Sequence, residues 1–550
     1  MKPQLSKAHI EAINRRRRVI VNFDVISSDG AAFATRDIEQ LVKWKFSFAD
    51  DPDTHIDSIW WSWGEGHQAP YPSRMLPLYD SPGFKKWADA GINVMQVFLD
   101  ESKKRGLEAF FSYRINGSDN DLGPVSKIPM KAAHPDWLIH TWNANGYWNF
   151  AIKGVHDYKL SLLREAAEDY DFDGIELDFA RVCPVLPPGH QWENRDRLTE
   201  FMRATRSMLL EIERKRGRPF LLAARVPENL AGCHFDGLDV ETWAREGLVD
   251  IFVLGCRSFD VDIPAFRRIA ADTDIKLYPC IDDHHASDGY QWPPIEVLRG
   301  VFANWWHQGA DGIQTFNFAH ATVEQTTHTV GEMYLEPGWA THHQAYSEMG
   351  DASLLEHRDK VFVVQRRGGG HGPTVVPNPE DWTTPRFMSF NTNMFSPLPA
   401  ALANDGKADA LLTIAVADDV AAYANRVDRI TLRILLSDPA AEGLPEDQRM
   451  QSVTVATIGH PGHLQNTPPA KSIDAQIEVR LNNILLGKPM TENGWLVFDA
   501  EPNFFAVGDN LVGIRVTKRP TNSQQQISIE KLEVQVNYRQ YPQKLESSVC

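Results

Sequence analysis

The stretch Phe172-Asp-Gly-Ile-Glu-Leu-Asp-Phe-Ala-Arg181 is a short apolar run whose far end carries Glu176, Asp178 and Arg181. Alternate residues of a strand share a face, so Glu176 and Asp178 project together while Ile175 and Leu177 oppose them. Residues 155–170, just before it, hold Leu160, Leu163 and Ala167 at helical spacing. A helix feeding a buried strand is the repeating unit of a parallel α/β barrel, whose catalytic groups sit at the C-terminal ends of its strands. Two carboxylates and an arginine are costly to bury together. They predict either a functional cluster or an ion-pair layer that closes the barrel.

The same unit repeats on both sides of this strand. Upstream, residues 19–25 read as a strand ending near Asp24, 56–63 as one running through Trp63 toward His67, and 107–116 as one finishing at Arg114 and Asn116. Downstream, 219–226 ends in Arg225 and is followed by Glu228, and 250–256 is followed by Arg257. Residues 275–281 lead into Asp282, Asp283 and His284, and 312–318 hold Gln314 and Asn317. Helices are predicted over 35–46, 94–105, 196–216, 240–247, 263–271 and 294–308. The alternation from 18 to 320 predicts an α/β fold, a (β/α)8 TIM barrel with loop insertions. A doubly wound open sheet is the competitor, but no Gly-x-Gly-x-x-Gly turn follows the first strand. The loop after the third strand is long enough to be functional and contains His134-Pro-Asp-Trp137, Trp142, Tyr147 and Trp148.

Beyond residue 345 the helical period fades. Short alternating runs at 360–365, 410–416, 429–436, 476–481, 511–517 and 527–538, separated by Gly, Pro, Asn and Asp, predict a C-terminal β-sandwich. Residues 1–345 are therefore expected to form a catalytic barrel and 346–550 an accessory sandwich.

A chain of 550 residues with 43% hydrophobic and 23% charged residues has ample material for such cores. Its net charge of −17 argues against nucleic acid as a partner. The Arg15-Arg-Arg-Arg18 run, just ahead of the first strand, reads as a solvated leader. No membrane-length apolar segment occurs, so no membrane partner is expected. The N-terminus lacks the apolar stretch of a secretory signal, and the 5 cysteines are odd in number without metal-ligand spacing. Both point to a cytoplasmic, reducing setting, although a trimmed secreted form would read the same. No cofactor or metal is expected: there is no phosphate-binding glycine loop, no His-Glu-x-x-His helix and no Gly-x-Ser-x-Gly elbow.

What the predicted strand ends do collect is carboxylates, arginines and aromatics. Glycosidic bond cleavage needs two carboxyl groups, one to protonate the leaving oxygen and one to act as nucleophile or to activate water. Aromatic rings give flat surfaces for the apolar faces of sugars, and the chain has 16 tryptophans. Trp305 and Trp306, on a predicted outer helix, read as packing residues. Asp178 is the candidate nucleophile or base, being nearest the strand's exit on the inward face. Glu228 is the candidate acid and Asp282 the alternative. Glu176, one step deeper, is expected to pair with Arg225 or Arg114. Asp24, Trp63, His67, Arg114, Asn116, Glu176, Arg181, Arg225, Arg257, His284 and Asn317 complete the expected substrate-binding set, with His284 a possible proton donor in its titration range. Arg114, Arg181, Arg225 and Arg257 end four consecutive strands. They either neutralise the barrel's own acids or read an anionic, uronic or sulfated sugar through a two-point fork.

Gly174-Ile-Glu-Leu-Asp-Phe-Ala-Arg181, His134-Pro-Asp-Trp137 and Gly309-Ala-Asp-Gly-Ile-Gln-Thr-Phe-Asn317 resemble the bacterial proteins of glycosyl-hydrolase-like family 10, over roughly residues 18–320. That resemblance implies a barrel with an acidic residue ending its fourth strand. Val479-Arg-Leu-Asn-Asn-Ile-Leu-Leu and Gly508-Asp-Asn-Leu-Val-Gly-Ile-Arg-Val are similar to jelly-roll modules that accompany glycosidases. Asp173-Gly-Ile-Glu-Leu-Asp-Phe-Ala180 also resembles the Asp-Gly-x-Asp-x-Asp-x-Glu strand of family 18 chitinases, but Ala180 stands where those carry the catalytic glutamate. The expected activity is thus hydrolysis of an oligo- or polysaccharide with the acid supplied from elsewhere. A silent carbohydrate-binding barrel and a lyase on uronic sugars are the alternatives.

Overall fold

The computed structural model describes residues 3–25, 37–63, 66–117, 125–140, 146–181, 184–256, 258–282, 290, 293–318, 338–367, 395–437, 477–492, 495–519 and 526–539. Eight parallel strands close into a barrel: β1 (Val19–Asp24), β2 (Ile56–Ser62), β3 (Glu108–Arg114), β4 (Gly174–Asp178), β5 (Leu221–Val226), β6 (Ile251–Leu254), β7 (Lys276–Ile281) and β8 (Ile313–Phe316). Each pairs with the next, and β8 returns to β1 with Val19 opposite Ile313 and Asn22 opposite Phe316. Closure brings Asp24 and Asn317 together: the Asp24 amide donates to Asn317 Oδ1 at 2.9 Å, and Asn317 Nδ2 donates to Asp24 Oδ2 at 2.8 Å. Asn317 holds a left-handed φ of 51° to do so, a conformation that asparagine tolerates better than most residues.

The two faces of each strand divide as the period of two requires. Ile20, Trp60, Phe110, Ala223, Val253, Tyr278, Cys280 and Phe316 fill the interior. Val19, Val21, Ile59, Trp61, Ile175, Leu177, Leu222 and Leu254 pack outward against the helices. Trp60 and Phe110 stack inside the barrel with centroids 4.5 Å apart. Gly174, in the stretch that defines the fold, makes this possible, because a Cβ there would lie 2.5 Å from the Phe110 ring.

The arginine run is a solvated leader only in its first half, where Arg15 and Arg16 are exposed. A helix over Lys7–Ile13 plugs the N-terminal end of the barrel, and the arginine run leads inward from it. Arg17 is fully buried and grips Glu108 two-fold, at 2.6 and 2.7 Å, while Arg18 forks onto Asp57. The run's second half meets the acids Glu108 and Asp57 at the neighbouring strand starts, which need its charge.

The sandwich strands are β9 (Lys360–Val363), β10 (Ala410–Val416), β11 (Val427–Ser437), β12 (Ile477–Leu481), β13 (Trp495–Asp499), β14 (Gly508–Val516) and β15 (Ser528–Tyr538). They form antiparallel sheets in the orders β9-β15-β11-β13 and β10-β14-β12, each continued by short strands. β13 was not anticipated, since Trp495-Leu-Val-Phe lacks polar alternation and is buried throughout. The sandwich packs on the last barrel helix, Ile295–His307. Gly300 lets β9 approach: a Cβ there would sit 2.2 Å from the Val361 carbonyl oxygen. Trp305 is fully buried as expected, and Trp306 is half-buried with its indole N–H on the Met349 carbonyl. Among the described residues no helix is long and apolar enough to cross a membrane.

Beneath the barrel, His9 bridges Glu213 (2.5 Å) and Asp250 (3.1 Å), and Arg206 forks onto Asp250 at 2.8 and 2.7 Å. Burial alone would lower the His9 pKa, but its hydrogen bonds to Asp250 and Glu213 outweigh that and push it from 6.5 to about 9. A group raised in the folded state stabilises fully below its unfolded value, and that stability is lost as pH rises through the folded one. Raising the pH from 6.5 to 9 should therefore cost roughly 3 kcal/mol through His9, at about 1.4 kcal/mol per unit. In denaturant titrations across that range, His9→Gln should flatten the decline. An unchanged slope would show that His9 is not the group responsible.

Candidate functional site

The inward side chains at the C-terminal half of the barrel form two polar layers. In the deeper one, Glu176 lies at the centre of β4. Its Oε2 accepts from Asn22 Nδ2 at 2.5 Å and Ser112 Oγ at 2.6 Å, and its Oε1 accepts from Gln314 Nε2 at 3.3 Å. Among the described residues the hydrogen-bond donors to Glu176 are neutral, and Arg225, one of its two expected partners, acts on it through charge without a hydrogen bond. Burial raises the Glu176 carboxyl above its usual range, with Arg225 opposing and Asp178 adding to the rise.

The next layer holds the charges. Arg114, Asp178 and Arg225 are register partners across β3, β4 and β5. Arg225 Nη2 pairs with Asp178 Oδ2 and Arg114 Nη2 with Asp24 Oδ1, all four residues being buried. Asp178 Oδ1 accepts the backbone N–H groups of Ala180 and Arg181, both at 3.0 Å. Both oxygens of Asp178 are thus held by the turn that leaves its own strand and by one guanidinium. Burial would raise the Asp24 carboxyl, but Arg114, Asn317 and Arg181 together hold it below the usual range. The ring of Phe316, at the end of β8, collects the cations: Arg225 lies 4.2 Å, Arg114 5.3 Å and Arg181 6.0 Å from its centroid. Guanidinium groups over an aromatic face gain attraction that water would otherwise supply.

Glu228 is different. It follows β5 in the turn Pro227-Glu228-Asn229, where Asn229 caps the helix Leu230–Asp236 and the Glu228 carbonyl accepts from the Asp262 amide at 3.0 Å. Its side chain packs against Gly255, where a Cβ would lie 3.1 Å from that of Glu228. The residue is buried, and its Oε2 has no hydrogen-bond partner among the described residues. Burial, with a smaller push from Asp260, raises its pKa from 4.5 to about 7.

The other expected residues separate by position. Asp282 is fully buried just past β7 and continues the inward run of Tyr278 and Cys280. Asn116 ties two loops together: its Nδ2 donates to the Pro184 carbonyl at 2.6 Å and its Oδ1 accepts from the Trp148 amide at 2.7 Å. Trp63 points outward, edge-on to Tyr71 and Phe98 in the helix layer, which is a packing position and not a sugar platform. His67 is half-buried in the loop after β2. Arg257 and His284 lie outside the described residues. Asn22, Ser112 and Phe316 were missed, although each of the first two lies two residues before a chosen one and so shares its face. Among the described residues no group of three or more His, Cys, Asp or Glu side chains could hold a metal ion.

Residues 34–193 match the family model described as glycosyl hydrolase-like 10, bearing out the resemblance carried by the motifs. The glycosyl hydrolase DigH of Escherichia coli (strain K12) is 29% identical over 119 residues, covering 20% of this chain and 27% of that protein. The DigH protein of Shigella flexneri matches equally. The aligned part thus spans about a quarter of the length of these curated relatives, 27%. Among solved structures, the α-amylase of Geobacillus thermoleovorans complexed with acarbose aligns with 93% of this chain and 100% of its own, at 10% identity and a TM-score of 0.38. The PgaB (BpsB) glycoside hydrolase domain of Bordetella bronchiseptica aligns with 55% of this chain and 93% of its own, at 10% identity and a TM-score of 0.37. At those scores neither likeness carries an argument, and the barrel rests on its own strand pairing.

The raised pKa of Glu228 has a consequence for stability. The folded state holds the proton between pH 4.5 and about 7, so stability falls as pH rises through that window and the cost of burying the ionised group is full above it. Glu228→Gln, which keeps shape without charge, should gain up to about 3 kcal/mol over the wild type between pH 4.5 and pH 8, at about 1.4 kcal/mol per unit. Denaturation midpoints of both proteins at the two pH values measure it. A difference that does not grow with pH would place Glu228 in contact with water or a cation.

Proposed function

We propose that the protein is a glycoside hydrolase acting on O-glycosyl bonds of an oligo- or polysaccharide at the C-terminal end of the barrel, with the sandwich as its accessory module. The observation that carries this reading is the contrast between two carboxyl groups at the ends of neighbouring strands, Asp178 on β4 and Glu228 in the turn after β5. Glu228 has an unpartnered buried oxygen and a pKa of about 7. Asp178 is surrounded by Arg225 and two backbone N–H groups. A pair whose surroundings differ in this way suits an acid and an anionic partner, which is what glycosidic cleavage requires. In this assignment Glu228 donates its proton to the leaving oxygen, and Asp178 faces the developing positive charge at the sugar carbon. The family match over residues 34–193 supports the same class of reaction. Asp282 stands as the alternative acid.

Glu228→Gln should lower turnover at least ~100-fold, the scale of general acid catalysis. Asp178→Asn should do the same but also destabilise the fold by ~3–5 kcal/mol, because Arg225 would then be buried without its anion. Reducing ends released from neutral, uronic and sulfated oligosaccharides measure the activity. Binding without release would favour a silent carbohydrate-binding barrel, and an ultraviolet-absorbing unsaturated product would favour a lyase.

The pairing of Arg114 with Asp24 and Arg225 with Asp178 supports a scaffolding role for those two arginines. Arg181, which follows the Asp178 turn and lies 6.0 Å from the Phe316 centroid, is the arginine through which the reading of an anionic sugar is tested. If the substrate is anionic, Arg181→Ala should cost ~1.5–3 kcal/mol of binding to a uronic or sulfated ligand, the scale of a hydrogen bond to a charged group. The neutral counterpart should lose far less. Equal losses on both would assign a neutral substrate.

A further inference from the structure

The turn that carries Glu228 is gripped at two points by one loop after β6, described at residues 255–256 and 258–262. At its start Gly255, at a φ of 71°, lies against the Glu228 side chain, and its amide donates to the Val226 carbonyl at 2.7 Å. At its end the Asp262 amide donates to the Glu228 carbonyl at 3.0 Å, while the Asp262 side chain caps the helix Ile263–Ile269. A shift of this loop would move Glu228 at both points and open its carboxyl to water.

The middle of the loop is held from outside the barrel strands. The Phe259 amide donates to Gln365 Oε1 at 2.7 Å, and the Phe259 carbonyl accepts from Trp305 Nε1 at 3.0 Å. Gln365 lies just past β9 in the sandwich, and Trp305 lies on the helix against which the sandwich packs. The Gln365 amide is itself oriented: its Nε2 donates to the Arg366 carbonyl at 3.0 Å, which leaves Oε1 to accept from Phe259. Phe259, Gln365 and Trp305 are all buried. A buried N–H deprived of its acceptor is costly enough to draw its loop toward water.

We infer that Gln365 of the sandwich is a positioning residue for the acid of the barrel: through Phe259 it fixes the loop after β6, and through that loop the turn that buries Glu228. The sandwich is then part of the scaffold of the site and not only an appended module. The catalytic consequence rests on the role proposed for Glu228; the positioning does not. Two titratable groups interact with Glu228, Asp260 on the same loop and Cys233 on the helix Leu230–Asp236. Burial pushes the Cys233 thiol well above its usual range and so keeps it neutral, which leaves Asp260 as the charge that acts on Glu228.

Infrared difference titration of the whole protein, each variant against the same variant carrying Glu228→Gln, reads the Glu228 carboxyl directly. In Gln365→Leu, which keeps the shape without the acceptor, its midpoint should fall from about 7 toward 4.5, by about one pH unit or more as water enters. Trp305→Phe, which removes the donor to the Phe259 carbonyl, should lower it as well. Gln365→Glu keeps the acceptor oxygen and should not lower it. Val479→Ala, in the sandwich core on β12, controls for general loss of stability and should leave the midpoint in place. Where a substrate is turned over, the alkaline limb of kcat/KM should move with the midpoint, as a general acid requires. A midpoint unchanged in both Gln365→Leu and Trp305→Phe, or lowered as much in Val479→Ala, would overturn the assignment. The expected shifts without turnover of any substrate would uphold the positioning and count against the hydrolase reading alone.

Discussion

The contact on which the rest depends is the ion pair between Arg225 and Asp178, fully buried between adjacent barrel strands. A charge in such a place must be matched, because an unpaired buried ion costs several kcal/mol. The barrel matches it in register. Arg114, Asp178 and Arg225 stand side by side on β3, β4 and β5, and Asp24 across the closure takes Arg114. Phe316 then covers the guanidinium planes from β8. One layer below, Glu176 is held by two side-chain amides and a hydroxyl instead of a cation. With two arginines already committed to two aspartates, neutral donors and a raised pKa are how a third carboxyl is accommodated.

Beside that ion-paired layer, Glu228 stands out as a buried carboxyl that pairs with no cation among the described residues. It sits one turn beyond β5, buried, with an oxygen that no described residue serves. Natural structures rarely leave such a group unsatisfied without a reason, and catalytic sites are where the reasons are found. The strand-end layer fixes the positions, and the turn after β5 supplies the group able to give up a proton near neutral pH. The sandwich contributes to that turn indirectly. Gln365, just past β9, accepts the Phe259 amide at 2.7 Å, and the loop it holds continues to Asp262, whose amide binds the Glu228 carbonyl.

Much of this was legible in the sequence, for reasons that can be stated residue by residue. The period of two in Ile175-Glu-Leu-Asp178 gave the inward face, and the repeated strand–helix alternation gave the barrel. What could not be read was partner choice. Arg114 and Arg225 each had several acids within reach of a strand end, and only the closure of β8 on β1 decides that Asp24 takes the first. Arg17 looked solvated because its partner, Glu108, lies ninety-one residues away in sequence. Trp63 looked like a sugar platform because aromatic loops suit that role, but the strand period already turned it outward. β13 escaped because a strand buried on both faces has no alternation to show.

The central claim is that Glu228 holds its proton at neutral pH in the buried turn after β5. Infrared difference spectra of the wild type against Glu228→Gln, recorded from pH 4 to pH 9, read the protonated carboxyl of that residue directly. The account predicts a carboxylic C=O band that disappears with a midpoint near the value of about 7. A band already gone by the ordinary 4.5 would contradict it.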